Sequence, residues 1–346
     1  MDRAITYSEA IREGIDLEMA RDPRVILFGL GVTDPKGILG TTKGLEKKYG
    51  AERVFDTPLS EDAMTGVAIG AATAGLRPVH VHIRMDFLLL AMNQLVNMAA
   101  KIRYMFGGQI SVPMVVRAMI GKSWGQGPQH SQALYSFFMH VPGIKVVAPS
   151  TPHDAKGCLV AAIRDNNPVL FVEHRLLYYQ TGNVPDGLYE VMPGKSRITG
   201  AGEDITIVGI SYMQLECLRA RFELEAVGIS AEVIDPVWLS PLDVDTIAES
   251  VRRTGRLLVV DNGWTACGAG STIIASVMEK LCQQVSVRQM GFEPATCPTT
   301  PTLEDEFYPN PRTIAAMAFS MVKGDGEHWM PDKKEYPETI AFKGPF

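Results

Sequence analysis

The sequence predicts an α/β protein with two doubly wound domains, each a parallel sheet covered by helices on both faces. Short apolar segments of strand length alternate with helical patterns along most of the chain. Some strand segments, such as residues 24–30, are continuously apolar, as is typical of parallel strands buried on both faces. With 346 residues, the chain is long enough for two separate hydrophobic cores.

The first predicted domain covers residues 1–190 and begins with a helix at residues 7–20, because Ile11, Ile15 and Met19 recur four residues apart on one side. The segments that follow alternate between apolar runs and helical patterns. We predict strands at residues 24–30, 53–55, 77–83, 114–120, 144–149 and 169–173, and helices at residues 42–49, 63–72, 89–105, 131–139 and 153–166.

The alternation stops at residues 176–195, where Gly and Pro indicate a linker, and resumes in a second domain at residues 196–323. Residues 324–346 are charged and contain Pro, so we expect a tail that lies along a surface, with Trp329 and Tyr336 as anchors. In the second domain we predict strands at residues 204–210, 230–234, 257–260 and 285–289, and helices at residues 213–227, 243–253, 270–282 and 311–321.

Composition argues against several classes of function. The net charge of −6 does not favour binding to nucleic acid or to an anionic membrane. The five cysteines form no CxxC pair, which fits reduced thiols better than a disulfide framework. The sequence shows no signal-peptide pattern and no apolar run long enough for a membrane span. We therefore expect a cytoplasmic protein.

The segment at residues 56–62 carries the first candidate for chemistry. It opens the helix predicted at residues 63–72, with Ser60 as a suitable N-cap and with Glu61 and Asp62 in the first turn, where the helix dipole favours negative charge. Two acids at such a position often do no more than start a helix. The Gly and Ala residues of this helix, however, suit an element against which another packs closely. A carboxylate at the N-terminal end of this helix is therefore a candidate for proton chemistry.

A glycine-rich loop at residues 121–132, here called the histidine loop, carries the second candidate. It follows the strand at residues 114–120, and ligands of open α/β sheets bind at the carboxyl ends of strands. The loop matches neither GxxxxGK[ST] nor GxGxxG, so we do not interpret it as a nucleotide-binding loop. His130 could move protons near neutral pH, or it could simply cap a helix or bond a carbonyl. The seven histidines show no HExxH or other metal spacing.

Taken together, these segments resemble the β subunits of the thiamine-diphosphate-dependent component of 2-oxoacid dehydrogenase complexes. Pyruvate, branched-chain 2-oxoacid and acetoin dehydrogenases belong to this group, within the wider transketolase-like family. The resemblance implies a transketolase-like pyrimidine-binding domain followed by a transketolase-type C-terminal domain. The matching stretches occur in family order, at residues 53–61, 75–79, 99–101, 105–108, 129–132, 145–152, 154–157, 162–168 and 303–305.

The resemblance implies roles for three side chains. Glu61 matches the family glutamate that hydrogen-bonds the ring nitrogen of the cofactor's aminopyrimidine and so starts the proton transfer that creates the nucleophile. Phe87 matches the aromatic residue that stacks on the aminopyrimidine. His130 matches the active-site histidine that binds the 2-oxo group or relays protons. Glu61 and His130 are thus the predicted catalytic residues, and Glu61 and Phe87 the predicted cofactor contacts.

The resemblance also implies ions and partner chains. A structural monovalent cation, usually K⁺, would be held by Asp165 and Asn167 together with backbone carbonyls near Met114, Ala162 and Ile163. The family binds the diphosphate through Mg²⁺ and a Gly-Asp-Gly…Asn motif on a separate α subunit, and this sequence contains no such motif. The expected assembly is therefore an α2β2 heterotetramer with the cofactor at each α–β interface, in which this chain alone is inactive. A lipoyl acyltransferase is a further expected partner.

Two segments depart from the family pattern, and both bear on which substrate the protein is expected to bind. Residues 82–86 include His82 and Arg84, where the family has largely apolar or aromatic residues before Phe87. The histidine loop contains Lys122 and Trp124, and its Gly-Pro-x-His run is similar to that of transketolase and deoxyxylulose-phosphate synthase. If Arg84 or Lys122 faces the pocket, a polar or anionic acceptor is expected. In the alternative, both are solvated surface residues.

Several functions remain open at this point. The first is a β subunit that decarboxylates a 2-oxoacid, or cleaves an acyloin, and passes the unit to a lipoyl domain. The second is a two-component transketolase-like carboligase that passes the unit to an aldehyde or ketone. The third, a non-catalytic scaffold, is disfavoured because Glu61, Phe87 and His130 are all present. An NAD dehydrogenase is disfavoured because no strand is followed by GxGxxG and a downstream acid.

Overall fold

The computed structural model describes residues 2–122, 125–324 and 326–337, which divide into two compact units. Unit 1 is formed by the residues up to Ile120 together with Phe137–Pro193. Unit 2 is formed by Gly121–Ser136 together with the residues from Gly194 onward. Each unit has its own buried apolar core.

Unit 1 contains a parallel sheet whose strands lie side by side in the order β6, β7, β5, β4, β2, β3. Strands β2, β5 and β7 are buried along their whole length. β2 is continuously apolar, as is typical of a parallel strand covered on both faces, whereas β5 and β7 also bury Arg117 and Glu173. β1 pairs antiparallel with β8 in a separate ribbon. The strands up to Pro193 are β1 (Asp2–Thr6), β2 (Val25–Gly29), β3 (Val54–Asp56), β4 (Arg77–His82), β5 (Val115–Ile120), β6 (Lys145–Val147), β7 (Val169–His174) and β8 (Thr181–Pro185).

Helices connect these strands, as parallel pairing requires. α1 packs against α6, and α3 packs against β4. Between β4 and α4 the chain forms a 3₁₀ helix and then a π-helix, and a short 3₁₀ turn follows β7. The helices are α1 (Tyr7–Arg21), α2 (Leu45–Tyr49), α3 (Glu61–Thr73), the 3₁₀ helix Met85–Ala91, the π-helix Asn93–Ala99, α4 (Ala100–Met105), α5 (Tyr135–Met139), α6 (Pro152–Arg164) and the 3₁₀ turn Arg175–Leu177.

A fully buried ion pair joins two neighbouring strands of this sheet. Arg117 on β5 donates from Nε to Glu173 Oε1 on β7 at 2.5 Å and from Nη2 to Glu173 Oε2 at 2.8 Å. The Tyr178 hydroxyl donates to the same Oε2 at 2.9 Å. Burial alone would lower the pKa of Arg117, but the attraction of Glu173 raises it above its ordinary value. The pair therefore keeps both charges inside the core.

Unit 2 contains a second sheet, in the order β14, β13, β10, β11, β9, which is parallel except for β9 at one edge. α7 and α11 pack against each other. No helix in the described part of the chain combines the length and apolarity that crossing a membrane requires. The elements are β9 (Arg197–Gly200), β10 (Ile205–Gly209), β11 (Ala231–Asp235), β12 (Trp238–Ser240), β13 (Arg256–Trp264) and β14 (Ser286–Phe292), with α7 (Tyr212–Glu225), α8 (Val244–Thr254), α9 (Ala269–Lys280), α10 (Pro301–Phe307) and α11 (Pro311–Lys323).

The predicted α/β architecture is confirmed, and the differences are local. The helix predicted at residues 89–105 is instead three segments, because apolar periodicity reports the buried side of a helix and not its hydrogen-bond register. The prediction missed β1, β8 and β9, which are short strands whose described side chains are mostly exposed or half-buried. The helix predicted at residues 131–139 is only the five residues of α5.

Two assignments concern segments outside the sheets. The sequence placed the histidine loop in the domain at residues 1–190, whereas its contacts group it with unit 2. The described part of the tail lies against unit 2: the Trp329 ring is 5.2 Å from that of Phe319, and the Arg219 guanidinium lies 3.7 Å from the centre of the Tyr336 ring. Both anchors expected from the sequence are therefore in contact with helices, and residues 338–346 lie outside the described residues.

Replacing Glu173 by Gln should lower the free energy of unfolding of unit 1 by roughly 3–5 kcal/mol, because the buried Arg117 would keep its charge and lose its counter-ion. Urea unfolding measures this change. The matched control is Glu249→Gln, which breaks the exposed pair with Arg252 and should cost less than about 1 kcal/mol. Equal costs for the two variants would contradict a structural role for the buried pair.

Candidate active site

Glu61 is the first residue of α3, which begins shortly after β3. Ser60 occupies the N-cap position as predicted, but its hydroxyl makes no capping hydrogen bond. The Glu61 side chain is half-buried and makes no hydrogen bond or ion pair with any residue that the structure describes. Its carboxyl group therefore retains its hydrogen-bonding capacity at the N-terminal end of the helix.

One side of α3 is packed and the other is uncovered. Thr65 and Ala68 are buried. Gly66 and Gly70 lie one turn apart on another face of the helix. A Cβ added at Gly66 would lie 3.7 Å from the side chain of Gln94 in the π-helix, whereas a Cβ added at Gly70 would meet nothing within 4 Å. Val67, next to Gly66, is 52% exposed. The small residues of α3 thus leave an apolar surface open in this chain.

Phe87 lies in the 3₁₀ helix that packs against α3, and its side chain is 36% exposed. Arg84 immediately precedes that helix and is half-buried. Its Nη1 donates to the Ile83 carbonyl at 3.0 Å, whereas its buried Nε has no hydrogen-bond partner among the described residues. Burial lowers the pKa of Arg84, and the nearby Tyr178 and Asp86 partly offset this effect. Arg84 is therefore enclosed rather than solvated.

Two buried histidines on β4 lie beneath α3. The rings of His80 and His82 are 4.4 Å apart in an edge-to-face arrangement. His82 Nε2 is 3.4 Å from the Thr65 hydroxyl, and His80 Nδ1 is 3.4 Å from the Phe28 carbonyl oxygen. Burial lowers the pKa of His80 to about 4 and the pKa of His82 well below its ordinary value. Both rings are therefore neutral at pH 7.

The histidine loop is fixed within unit 2 by close contacts. A Cβ added at Gly125, whose φ is +62°, would lie 2.1 Å from the Thr299 carbonyl oxygen, so no side chain fits there. The Lys122 ammonium lies 5.3 Å from the centre of the Tyr308 ring and 5.9 Å from that of Tyr212. His130 is half-buried in this unit. Trp124, named in the sequence analysis, lies outside the described residues.

The predicted cation ligands lie together where α6 ends and β7 begins. Asp165 Oδ1 accepts hydrogen bonds from the backbone and the side-chain amide of Asn167, at 2.9 and 2.8 Å. The Met114 carbonyl accepts from the Val169 backbone, and the Ala162 carbonyl from the Asp165 backbone. The carbonyls of Ile163 and Asp165 accept from Arg77, at 2.9 and 3.0 Å.

These oxygens retain some ligand capacity. Each carbonyl has a second lone pair, so the bonds from Arg77 do not use up its acceptor capacity. The Asp165 carboxylate also pairs with Lys145. The oxygen donors therefore fit a weakly bound hard cation, although three protein cations already lie beside them, namely Arg77, Lys145 and Arg103, of which Arg103 donates to Asn167 Oδ1 at 2.9 Å.

The structure thus groups the predicted residues into three places. Glu61 and Phe87 lie on packed elements of unit 1, the cation ligands form a second cluster in unit 1, and His130 lies in unit 2. Sequence reasoning overlooked the pairing of His80 with His82, for which their spacing of two residues on a predicted strand was an available signal. It also overlooked a hydrogen bond from Tyr135 to Asp261, for which the sequence offered no local signal.

Comparison with known families matches most of the chain. Residues 3–181 match the family model described as "Transketolase, pyrimidine binding domain". Residues 194–314 match that described as "Transketolase, C-terminal domain". The two matches fall on the two alternating regions that the sequence predicted, on either side of the expected linker.

Curated relatives match over nearly the whole chain. The β subunit of acetoin:2,6-dichlorophenolindophenol oxidoreductase from Cupriavidus necator is 45% identical over 343 residues, which covers 95% of this chain and 100% of that protein. The subunit of the same name from Bacillus subtilis is 38% identical, covering 93% of this chain and 98% of that protein. The mitochondrial pyruvate dehydrogenase E1 β subunit of Caenorhabditis elegans is 44% identical over 80% of this chain and 79% of its own length.

Solved structures share the fold at lower identity. A chain titled "Split gene transketolase, inactive beta4 tetramer" superposes with a TM-score of 0.76 at 22% identity, covering 92% of this chain and 99% of that one. Transketolase from Leishmania mexicana superposes with a TM-score of 0.68 at 14% identity, and 46% of that longer chain is covered. These similarities support the two-domain fold.

The buried histidines predict how stability depends on pH. Because the folded-state pKa of His80 is depressed to about 4, its contribution to stability is present above the unfolded value of 6.5 and is lost as the pH falls towards 4. The free energy of unfolding should therefore fall by about 1.4 kcal/mol per pH unit for this group. In His80→Phe the slope below pH 6 should be shallower by that amount.

Urea unfolding between pH 8 and pH 4.5 measures this slope. Near pH 8 the two proteins should show equal slopes, which serves as the internal control, since His80 is essentially uncharged there in both the folded and the unfolded chain. The slope, unlike the absolute stability, is insensitive to any repacking around the new ring. An unchanged slope at low pH would show that His80 titrates normally in the folded protein.

Proposed function

Because the chain belongs to the transketolase-like family of thiamine-diphosphate enzymes, we propose that it is the β subunit of a two-component dehydrogenase that cleaves an acyloin or decarboxylates a 2-oxoacid. The observation that carries this proposal is its similarity, over nearly full length, to two acetoin oxidoreductase β subunits. The pyruvate dehydrogenase β subunits match over about four fifths of the chain, so an acyloin is the first substrate class to test.

The alternative carboligase function has less support. The two solved transketolase chains described above are 22% and 14% identical to this chain and support the fold alone. The curated relatives described above, at 38–45% identity, carry dehydrogenase or oxidoreductase names. We therefore propose that the acceptor of the acyl unit is the lipoyl group of an acyltransferase, and not an aldehyde or ketone.

Residues of unit 1 fit the aminopyrimidine half of the cofactor. Glu61 has a carboxyl group that no described residue uses, and the Phe87 ring is partly exposed on an adjoining element. When bound, thiamine diphosphate supplies a carbon nucleophile for the substrate carbonyl. Glu61 would hold a proton at its carboxyl oxygen and share it with the ring nitrogen, and Phe87 would stack on the ring. His130 would hold or move a proton at the substrate oxygen.

The uncovered apolar side of α3 supports docking of an α subunit. Val67 and Gly70 lie on it, and the neighbouring 3₁₀, π and α4 helices add further exposed apolar side chains. A surface of this kind is typical of a contact with another chain. We propose that the α subunit covers it and brings the diphosphate and Mg²⁺ site, in an α2β2 assembly. The exposed apolar side chains of those neighbouring helices are Leu89, Leu90, Met98, Tyr104 and Met105.

A monovalent cation at the end of α6 is part of the same proposal. The oxygen donors of Met114, Ala162, Ile163, Asp165 and Asn167 support K⁺ there. Its contribution would be structural, since it would hold the turn between α6 and β7. Replacing K⁺ by tetramethylammonium in the assays below should then lower the melting temperature without changing the reaction catalysed.

The first test is reconstitution with a candidate α subunit, such as one encoded by a neighbouring gene. Only the mixture should bind thiamine diphosphate and Mg²⁺ tightly, as calorimetric titration would measure, because this chain supplies only the aminopyrimidine contacts. Val67→Asp should weaken assembly at least tenfold by placing a charge in the apolar contact. The control Leu303→Asp alters an exposed apolar residue of unit 2 and should assemble normally. Tight cofactor binding by this chain alone would refute the split site.

The second test concerns Glu61. In the reconstituted enzyme, Glu61→Gln should lower kcat for acetoin or pyruvate about 100-fold or more, which is the usual contribution of a positioned acid–base group. Assembly should be unaffected, because no described residue bonds the Glu61 side chain. Asp62→Asn changes the exposed acid beside it and is the matched control, with kcat within about twofold of wild type. Normal turnover by Glu61→Gln would remove the residue from the mechanism.

A further inference from the structure

A buried hydrogen bond lies at the C-terminal end of the segment that carries His130. Tyr135 lies five residues after His130 and is 1% exposed. Its hydroxyl donates to Oδ1 of Asp261, a fully buried residue on β13. Oδ2 of Asp261 accepts from the Gly270 backbone N–H at 3.2 Å, in the first turn of α9. The acceptor is thus held by a helix of unit 2, independently of Tyr135.

Contacts along the rest of the segment fix it to the same unit. At its start, the Lys122 ammonium lies over the rings of Tyr308 and Tyr212. Gly125 approaches the Thr299 carbonyl so closely that a Cβ would clash. Near its end, a Cβ added at Gly263 would lie 3.2 Å from the Ala133 carbonyl oxygen. His130 is therefore bracketed by fixed points on both sides, and Tyr135 supplies a side-chain hydrogen bond on its C-terminal side.

We infer that Tyr135 and Asp261 are positioning residues for the reaction, which hold the Gly121–Ser136 segment in unit 2 and thereby set the place of His130. This inference rests on the proposed function only in taking His130 as a catalytic residue. The hydrogen bond to Asp261 Oδ1 imposes a direction on the tyrosine hydroxyl, and both groups are buried, so water does not compete for this bond. A displacement of about 1 Å in a catalytic group can cost on the order of 100-fold in rate.

The inference gives unit 2 a part in catalysis. Asp261 keeps its bond to Gly270 when the tyrosine hydroxyl is removed, so α9 should stay capped in Tyr135→Phe. What changes in that variant is the anchoring of the segment, and not the core of the unit. The expected effect is a loss in kcat of about tenfold, with the KM for the substrate and the affinity for thiamine diphosphate changed less than twofold.

A double-mutant cycle in the reconstituted enzyme tests this. The variants are Tyr135→Phe, His130→Ala and the two combined. If Tyr135 acts through His130, the double variant should have the same kcat as His130→Ala, because an anchor without a catalytic group to place has no further effect. The control is Tyr178→Phe, which removes a buried hydroxyl from Glu173 in unit 1 and should leave kcat unchanged.

The outcomes separate the two proposals. If His130→Ala lowers kcat but Tyr135→Phe does not, or if the two losses multiply in the double variant, the positioning role is wrong and the catalytic role of His130 stands. If His130→Ala leaves kcat unchanged, His130 is not catalytic and the positioning role falls with it. The melting temperature of Tyr135→Phe guards against misfolding. It should stay close to that of the wild type while kcat falls, and a loss of kcat that appears only together with unfolding would contradict the inference.

Discussion

The buried pair of Arg117 and Glu173 sets the register on which the arrangement of unit 1 depends. It joins β5 to β7, and β5 also pairs in parallel with β4. A slip of one residue would turn every side chain of a strand to the other face and would leave a buried charge without its partner. The carboxyl end of β4 leads to Arg84 and Phe87, and that of β5 leads to the histidine loop. The position of β5 therefore determines where the chain leading to Arg84 and Phe87 and the histidine loop begin.

The residues predicted to act in catalysis are held by two kinds of element. Unit 1 presents Glu61 and Phe87 from regular elements, where the backbone already determines the direction of each side chain. Unit 2 holds His130 on a segment whose described residues form no helix or strand before Tyr135. The close approach of Gly125 to the Thr299 carbonyl and the hydrogen bond from Tyr135 to Asp261 hold that segment in place.

The sequence predicted the alternating elements because burial of both faces of a parallel sheet leaves continuous apolar strands. It did not predict the 3₁₀ and π turns before α4, since periodicity does not distinguish hydrogen-bond registers. Family resemblance predicted roles for Glu61, Phe87 and His130, whereas residue chemistry alone made only Glu61 and His130 candidates. Neither family resemblance nor residue chemistry pointed to Tyr135, because its partner Asp261 is 126 residues away. A tyrosine in an apolar run carries no signature of a long-range hydrogen bond.

The two basic residues that depart from the family pattern differ physically once their surroundings are known. The ammonium of Lys122 lies over two tyrosine rings, whose faces stabilise a cation without neutralising it. Arg84 is half-buried, and one of its donors has no partner among the described residues. Burying such a donor without a partner costs free energy. Electrostatic attraction to Asp86 and Tyr178 offsets this cost only in part, because the pKa of Arg84 is still lowered. Lys122 therefore belongs to the fastening of the histidine loop, whereas Arg84 retains hydrogen-bonding capacity three residues before Phe87.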